Sequence, residues 1–166
     1  EDKRHIFDRI AETRGSVDHV FQALLNSPDV AEAVGGLGEY MRYKSPLDPM
    51  VREIAILSTA RELQSDYEWA QHVPVARQAG VSEQVLDSIK SGRAPMGIPA
   101  KEGVFAQAAK ELVREGTLSD RTFQAVLHLL GLQQTVDLIV LVGYYTMVAR
   151  TLAALEVELD EHLQAE

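Results

Sequence analysis

Cysteine is absent from all 166 residues, which removes thiol nucleophiles, thiolate metal ligands, redox pairs and disulfides from the chemistry open to this chain. A chain without disulfides is compatible with a reducing compartment. Strand signals are almost missing as well, while apolar residues recur at helical spacing nearly throughout, so the expected fold is all-α. There is no basic cluster: 16 Lys and Arg stand against 25 Asp and Glu, a net charge of −9. That balance disfavours nonspecific binding to nucleic acid or to an anionic membrane.

Other absences narrow the function further. The most apolar run, residues 138–149, is too short to span a bilayer and lies between Asp137 and Arg150, so it reads as a core or subunit-interface helix. Gly35, Gly36 and Gly38 follow no strand signal and precede no lysine-serine pair; they read as a kink or a close helix contact rather than a phosphate loop. No two of the five histidines have a metal-ligand spacing, so neither a metal nor another cofactor is expected. The opening E-D-K-R-H carries no secretory pattern, and with no initiator methionine further residues are expected ahead of Glu1, which leaves a targeting segment there open. Cytoplasm is the expected compartment. The length suits one domain over residues 1–166, large enough to bury about 70% of its unfolded surface.

Read in order, the chain offers a short helix over residues 5–13, then a segment capped by Ser16 that carries Val20, Phe21, Leu24 and Leu25. A third helix runs from Val30 towards Tyr40 and Met41. Ser45, Pro46, Asp48 and Pro49 mark a turn into a central helix pair, with Asp48 as its N-cap and Pro49 as its first helical residue. Pro74 is expected to bend or restart the second helix of that pair. Gly80 ends it, Ser82 and Glu83 start another, and residues 91–99 form a Gly/Pro-rich loop, the one expected hinge. Beyond it come a helix through Phe105 and Leu112 closed by Gly116, a helix from Ser119 and Asp120 containing His128 among leucines, and a last long helix over residues 135–157. His128 reads as a core residue, whereas His5, His19 and His162 read as solvated. D-L-I-V-L in the last helix echoes E-I-A-I-L in the central pair, which leaves an internal duplication open.

The stretch that concentrates chemistry is residues 52–72, R-E-I-A-I-L-S-T-A-R-E-L-Q-S-D-Y-E-W-A-Q-H. Glu53 shares a helix face with Ile56, Leu57 and Ala60 and is expected to point inward. On the next helix Glu68 and His72 lie about 40° apart at about 100° per residue, with Trp69 on the apolar side. Two carboxylates around an imidazole in a water-poor pocket can trade protons. The plainer reading stays beside it: Glu53 near a helix start complements the backbone dipole, and Glu68 with His72 is an ordinary helical pair.

These same residues resemble the carboxymuconolactone decarboxylase family, whose relatives include the alkylhydroperoxidase D proteins. G-E-Y-M-R-Y-K-S-P-L ahead of R-E-I-A-I-L, then Y-E-W-A-Q-H, A-G-V-S-E-Q-V-L-D-S-I and L-I-V-L-V-G-Y-Y-T-M carry the likeness over most of the chain. The peroxidase branch uses a glutamate, a C-x-x-C pair and a histidine separated from the second cysteine by three residues. In that register Glu53 stands at the glutamate, Ser65 and Glu68 at the cysteines, and His72 at the histidine. The cysteine-free composition departs from the dithiol pattern and fits the decarboxylase branch better.

The resemblance implies a helical domain of the alkylhydroperoxidase D type and a cofactor-independent lyase acting on a small carboxylated lactone or related aromatic-catabolite acid. Glu53, Glu68 and His72 are the expected catalytic residues. Arg52, Arg61, Trp69 and Tyr144 are the expected substrate contacts; Tyr145, next to Tyr144, offers a second phenol, and tyrosines on a buried helix are also ordinary packing residues. A small-molecule carboxylate is the expected partner, in a homo-oligomer, trimer or hexamer, built through residues 138–149 or the glycine-rich helix near Gly35. The alternative function is a non-catalytic oligomeric binding protein of the same fold.

Overall fold

The computed structural model describes residues 2–14, 17–92 and 99–163, all of them helix, turn or loop, with no strand among them. Eight α-helices follow one another: α1 Asp2–Arg14, α2 His19–Leu24, α3 Pro28–Glu39, α4 Pro49–Glu62, α5 Asp66–Gln78, α6 Glu83–Ser91, α7 Ala100–Glu115 and α8 Asp120–Ala154. A π-helical turn, Tyr40–Lys44, extends α3, and a 3-10 turn, Glu161–Leu163, follows α8. The chain groups into two compact units, one of Glu1–Ser45 with Thr151–Glu166 and one of Pro46–Arg150.

In the first unit, Ile6 and Ile10 of α1, Val20, Phe21 and Leu24 of α2, and Ala31 and Val34 of α3 are buried. Gly35 does not kink α3; a side chain there would stand 3.8 Å from both Ile10 and Phe21, so it marks a helix contact. Ser16, the cap expected from sequence, lies outside the described residues. Asp18 is the N-cap of α2 but makes no side-chain cap bond; the backbone N–H of His19 instead donates to Asp160 Oδ1 at 2.9 Å.

The second unit is organised around α4. Asp48 accepts from the Met50 N–H at 2.8 Å and Pro49 fills the first helical position, which is how the sequence starts the helix. Every residue from Glu53 to Ala60 is buried, as a helix wrapped by others requires. α5 and α7 pack along it, and Arg114 of α7 pairs with Glu62 at its end.

The reversal into α5 sets the site. Gln64 adopts a left-handed φ of 54°, and the Ser65 N–H reaches back to the Ala60 carbonyl at 2.9 Å, the bond that closes a helix over a left-handed residue. Ser65 then caps α5 by accepting from the Glu68 N–H. α5 continues through Pro74 to Gln78 rather than restarting, while Tyr67, Glu68, His72 and Ala76 hold its inner face in the core. Of the loop expected over residues 91–99, residues 93–98 lie outside the described residues.

α8 keeps the two helices read from sequence, joined across a kink rather than a loop. It is one run broken at Gly131, whose φ of 73° and ψ of 171° suit glycine alone. The Thr135 hydroxyl donates to the Gly131 carbonyl at 2.7 Å. Among the described residues, α8 is the one helix long and apolar enough to cross a membrane by length and composition. It buries Leu138, Leu141, Val142, Tyr144, Tyr145, Val148 and Ala149, so it serves as a core helix. His128, expected in the core, is exposed; leucines on every side of it carry no phase, so their company did not define an inner face.

Candidate functional site

Three polar side chains meet inside the second unit where apolar ones are the rule. Glu53 on α4, Glu68 and His72 on α5 retain 1%, 5% and 4% of their exposure. His72 Nδ1 lies 2.7 Å from Glu53 Oε2, across the α4/α5 contact, and Nε2 lies 3.5 Å from Glu68 Oε2, one turn earlier on its own helix. Arg52 Nε donates to the other oxygen of Glu53 at 3.2 Å.

These contacts fix the charge state of Glu53. Burial is the largest single influence and by itself raises the carboxyl pKa; the hydrogen bond and charge of His72, with those of Arg52, outweigh it and hold Glu53 below the usual carboxylate range. Glu53 is therefore ionised near neutrality and can only accept, so Nδ1 carries a proton and donates it. That leaves Nε2 facing Glu68. Two acceptors at 3.5 Å repel unless a proton lies between them, so the arrangement can hold one transferable proton on the side away from Glu53.

Local sequence explains which way the Glu68 carboxylate turns. Ser65-x-x-Glu68 has the spacing of a reciprocal capping box, in which the glutamate bonds the N-cap N–H. Here the Ser65 N–H is already given to Ala60, and the Glu68 carboxylate turns along the helix to His72. Ser65, standing where a thiol pair begins in the register given above, is a helix cap.

The other expected site residues divide. Arg52 stands against Glu53 with its side chain 14% exposed, and Trp69 is half-buried on α5. Arg61 is not brought to the cluster; two turns beyond Glu53, its Nε donates to the Lys90 carbonyl at the end of α6 at 2.7 Å. Tyr145 meets the His72 ring edge to face, centroids 5.0 Å apart, and Tyr144 meets Tyr145 at 5.2 Å. The doublet was visible in the sequence, but the helical pattern of α8 did not select Tyr145 over Tyr144. A cavity of about 240 Å³ between the starts of α7 and α8, lined by Val104, Gln107, Arg121 and Thr122 among others, includes none of these residues. Among the described residues no three His, Asp or Glu side chains are arranged to hold a metal ion.

Residues 28–111 match the carboxymuconolactone decarboxylase family. That stretch contains Arg52, Glu53, Glu68, Trp69 and His72 and stops short of the tyrosines on α8. No curated protein sequence matches this one. Among solved structures, the crystal structure of an alkylhydroperoxidase AhpD core, an uncharacterized peroxidase-related protein from Ralstonia eutropha, is similar with a TM-score of 0.80. The likeness covers 98% of this chain and 87% of that one at 17% identity, which establishes the alkylhydroperoxidase D-like fold.

Proposed function

The chain belongs to the carboxymuconolactone decarboxylase family, and on that premise we propose that it is a cofactor-independent carboxy-lyase for a small carboxylated lactone or related aromatic-catabolite acid. The observation that carries this reading is an imidazole buried between two carboxylates, Glu53 at 2.7 Å and Glu68 at 3.5 Å, in a chain without cysteine.

The bond between the substrate's carboxylate carbon and its ring breaks, carbon dioxide leaves, and the electron pair stays on the ring carbon, delocalised into the unsaturated lactone. His72 delivers the proton held between Nε2 and Glu68 to that carbon, and solvent replaces it. One proton is consumed for each carbon dioxide released. Glu53 keeps the tautomer and orientation of the ring through Nδ1 and stabilises its positive charge, as an orienting carboxylate does beside a catalytic histidine. Arg52 offers a guanidinium to the substrate's anionic group. Trp69 supplies a flat apolar wall.

The same proposal includes a cytoplasmic homo-oligomer, trimer or hexamer, without a nucleic-acid or membrane partner. The apolar residues left exposed on α8 support association of copies: Leu129, Leu132, Val136, Val140 and Met147. A second reading, a non-catalytic binding protein of this fold, draws support from the 5% or lower exposure of all three central residues.

Turnover separates the two. Pure protein without added metal or nucleotide is expected to release carbon dioxide from carboxymuconolactone. Glu53→Gln, Glu68→Gln and His72→Gln are each expected to lower the rate by at least about a hundredfold, the scale of a lost general acid or base, with helical circular dichroism unchanged. Saturable binding of such lactones with no turnover supports the second reading instead.

A further inference from the structure

His72 is restrained from three directions, and two of them leave a degree of freedom. The short contact between Nδ1 and Glu53 fixes one atom of the ring. Torsion about the bond joining the imidazole to its methylene is broad by nature, so a single hydrogen bond to a carboxylate that can itself turn restrains the ring plane only softly. Glu68, at 3.5 Å from Nε2, is too far to act as a second tight tether.

The third restraint comes from α8. The Tyr145 ring stands against the imidazole with centroids 5.0 Å apart and planes at 89°, and Tyr144 meets Tyr145 at 5.2 Å and 80°. Both tyrosines are buried, at 6% exposure or less, on a stretch of α8 whose neighbours Leu141, Val142, Val148 and Ala149 are buried with them. An imidazole turning out of its plane would run into Tyr145, and Tyr145 is held in turn by Tyr144.

We propose that Tyr145 is a positioning residue, its ring locking the His72 imidazole so that Nε2 stays presented beside Glu68. The inference rests on the proton-transfer reading above and names a residue outside the matched stretch 28–111. Position matters because proton transfer needs near-contact geometry, and a displacement of about 1 Å can lower a rate by about a hundredfold. The aromatic ring does this work, not the hydroxyl. Phenylalanine is therefore expected to serve, whereas leucine fills space without presenting a flat surface.

The test compares Tyr145→Phe and Tyr145→Leu in the full chain by NMR of histidine-labelled protein and by kinetics. Wild type and Tyr145→Phe are expected to show one His72 ring environment with a slowly exchanging Nδ1 proton. Tyr145→Leu is expected to lose or broaden that proton signal. Its kcat falls at least about tenfold while KM stays within about twofold, the pattern of a contact that matters in the transition state. If Tyr145→Leu does not fold, Tyr145→Met gives the same readouts. A wild-type His72 spectrum in the folded Leu or Met variant overturns the proposal. So does a Phe variant that behaves like Leu, because the hydroxyl would then be the active part. Loss of the His72 signal in Tyr145→Leu together with absence of lactone turnover in wild type upholds the positioning and removes the reaction class.

Discussion

Glu53 Oε2 and His72 Nδ1 are 2.7 Å apart although nineteen residues separate them, and both side chains are 5% exposed or less. The contact forms where α5 folds back along α4, so the pair ties the helix reversal to the chemistry. A double-mutant cycle of Glu53→Gln and His72→Gln, followed by denaturant unfolding, is expected to show a coupling of about 1–3 kcal/mol, within the range for directly contacting partners. Additive effects would mean that the two side chains do not interact in solution.

Glu53 also gives the fold an acid limit. Its carboxyl pKa in the folded chain lies below the ordinary value of 4.5, so the unfolded chain binds more protons than the folded one in that range and stability rises with pH there. The contribution is fully present above 4.5 and is lost as pH falls through the depressed folded value. Wild type is therefore expected to lose more stability below pH 4.5 than Glu53→Gln does, as read by thermal melts across the acid range.

Gln64 holds a left-handed φ of 54° at the same reversal. A non-glycine residue is strained there, and glycine relieves the strain at some loss from unfolded-state entropy. Gln64→Gly is expected to raise stability by about 0.5–1 kcal/mol. Denaturant midpoints at constant slope measure it.

The exposed apolar residues of α8 predict association. Leu132 is 68% exposed and Val136 is 50% exposed, with Val140 and Met147 further along the helix. Light scattering at micromolar concentration is expected to give a trimer or hexamer mass, and Val136→Glu to lower it towards the monomer by placing a charge on that face. A monomeric wild type would mean that this face does not join copies of the chain.

Asp48-Pro49 and Ser82 each state a helix start in chemistry that acts over three residues, and the structure has helices beginning there. The Glu68 and His72 pairing was legible for the same reason, since four residues along one helix fix an angle. Glu53 could be placed inward, but its meeting with His72 depends on the left-handed turn at Gln64, for which the sequence offers no glycine. Arg61 stands apart from the cluster because its partner is a backbone carbonyl, at Lys90, and side-chain patterns carry no record of carbonyl positions. Tyr144 and Tyr145 are about 100° apart on α8, and which one faces His72 follows from the rotation of a helix that is apolar on most sides and broken at Gly131.

In the proposed reaction His72 places a proton on carbon from one fixed side as carbon dioxide leaves. Turnover of carboxymuconolactone in heavy water, analysed by proton NMR before the product exchanges with solvent, tests it directly. One deuterium at a single face of the product is expected, with residual turnover in His72→Gln losing that facial preference. A label distributed over both faces, or one unchanged by His72→Gln, would contradict it.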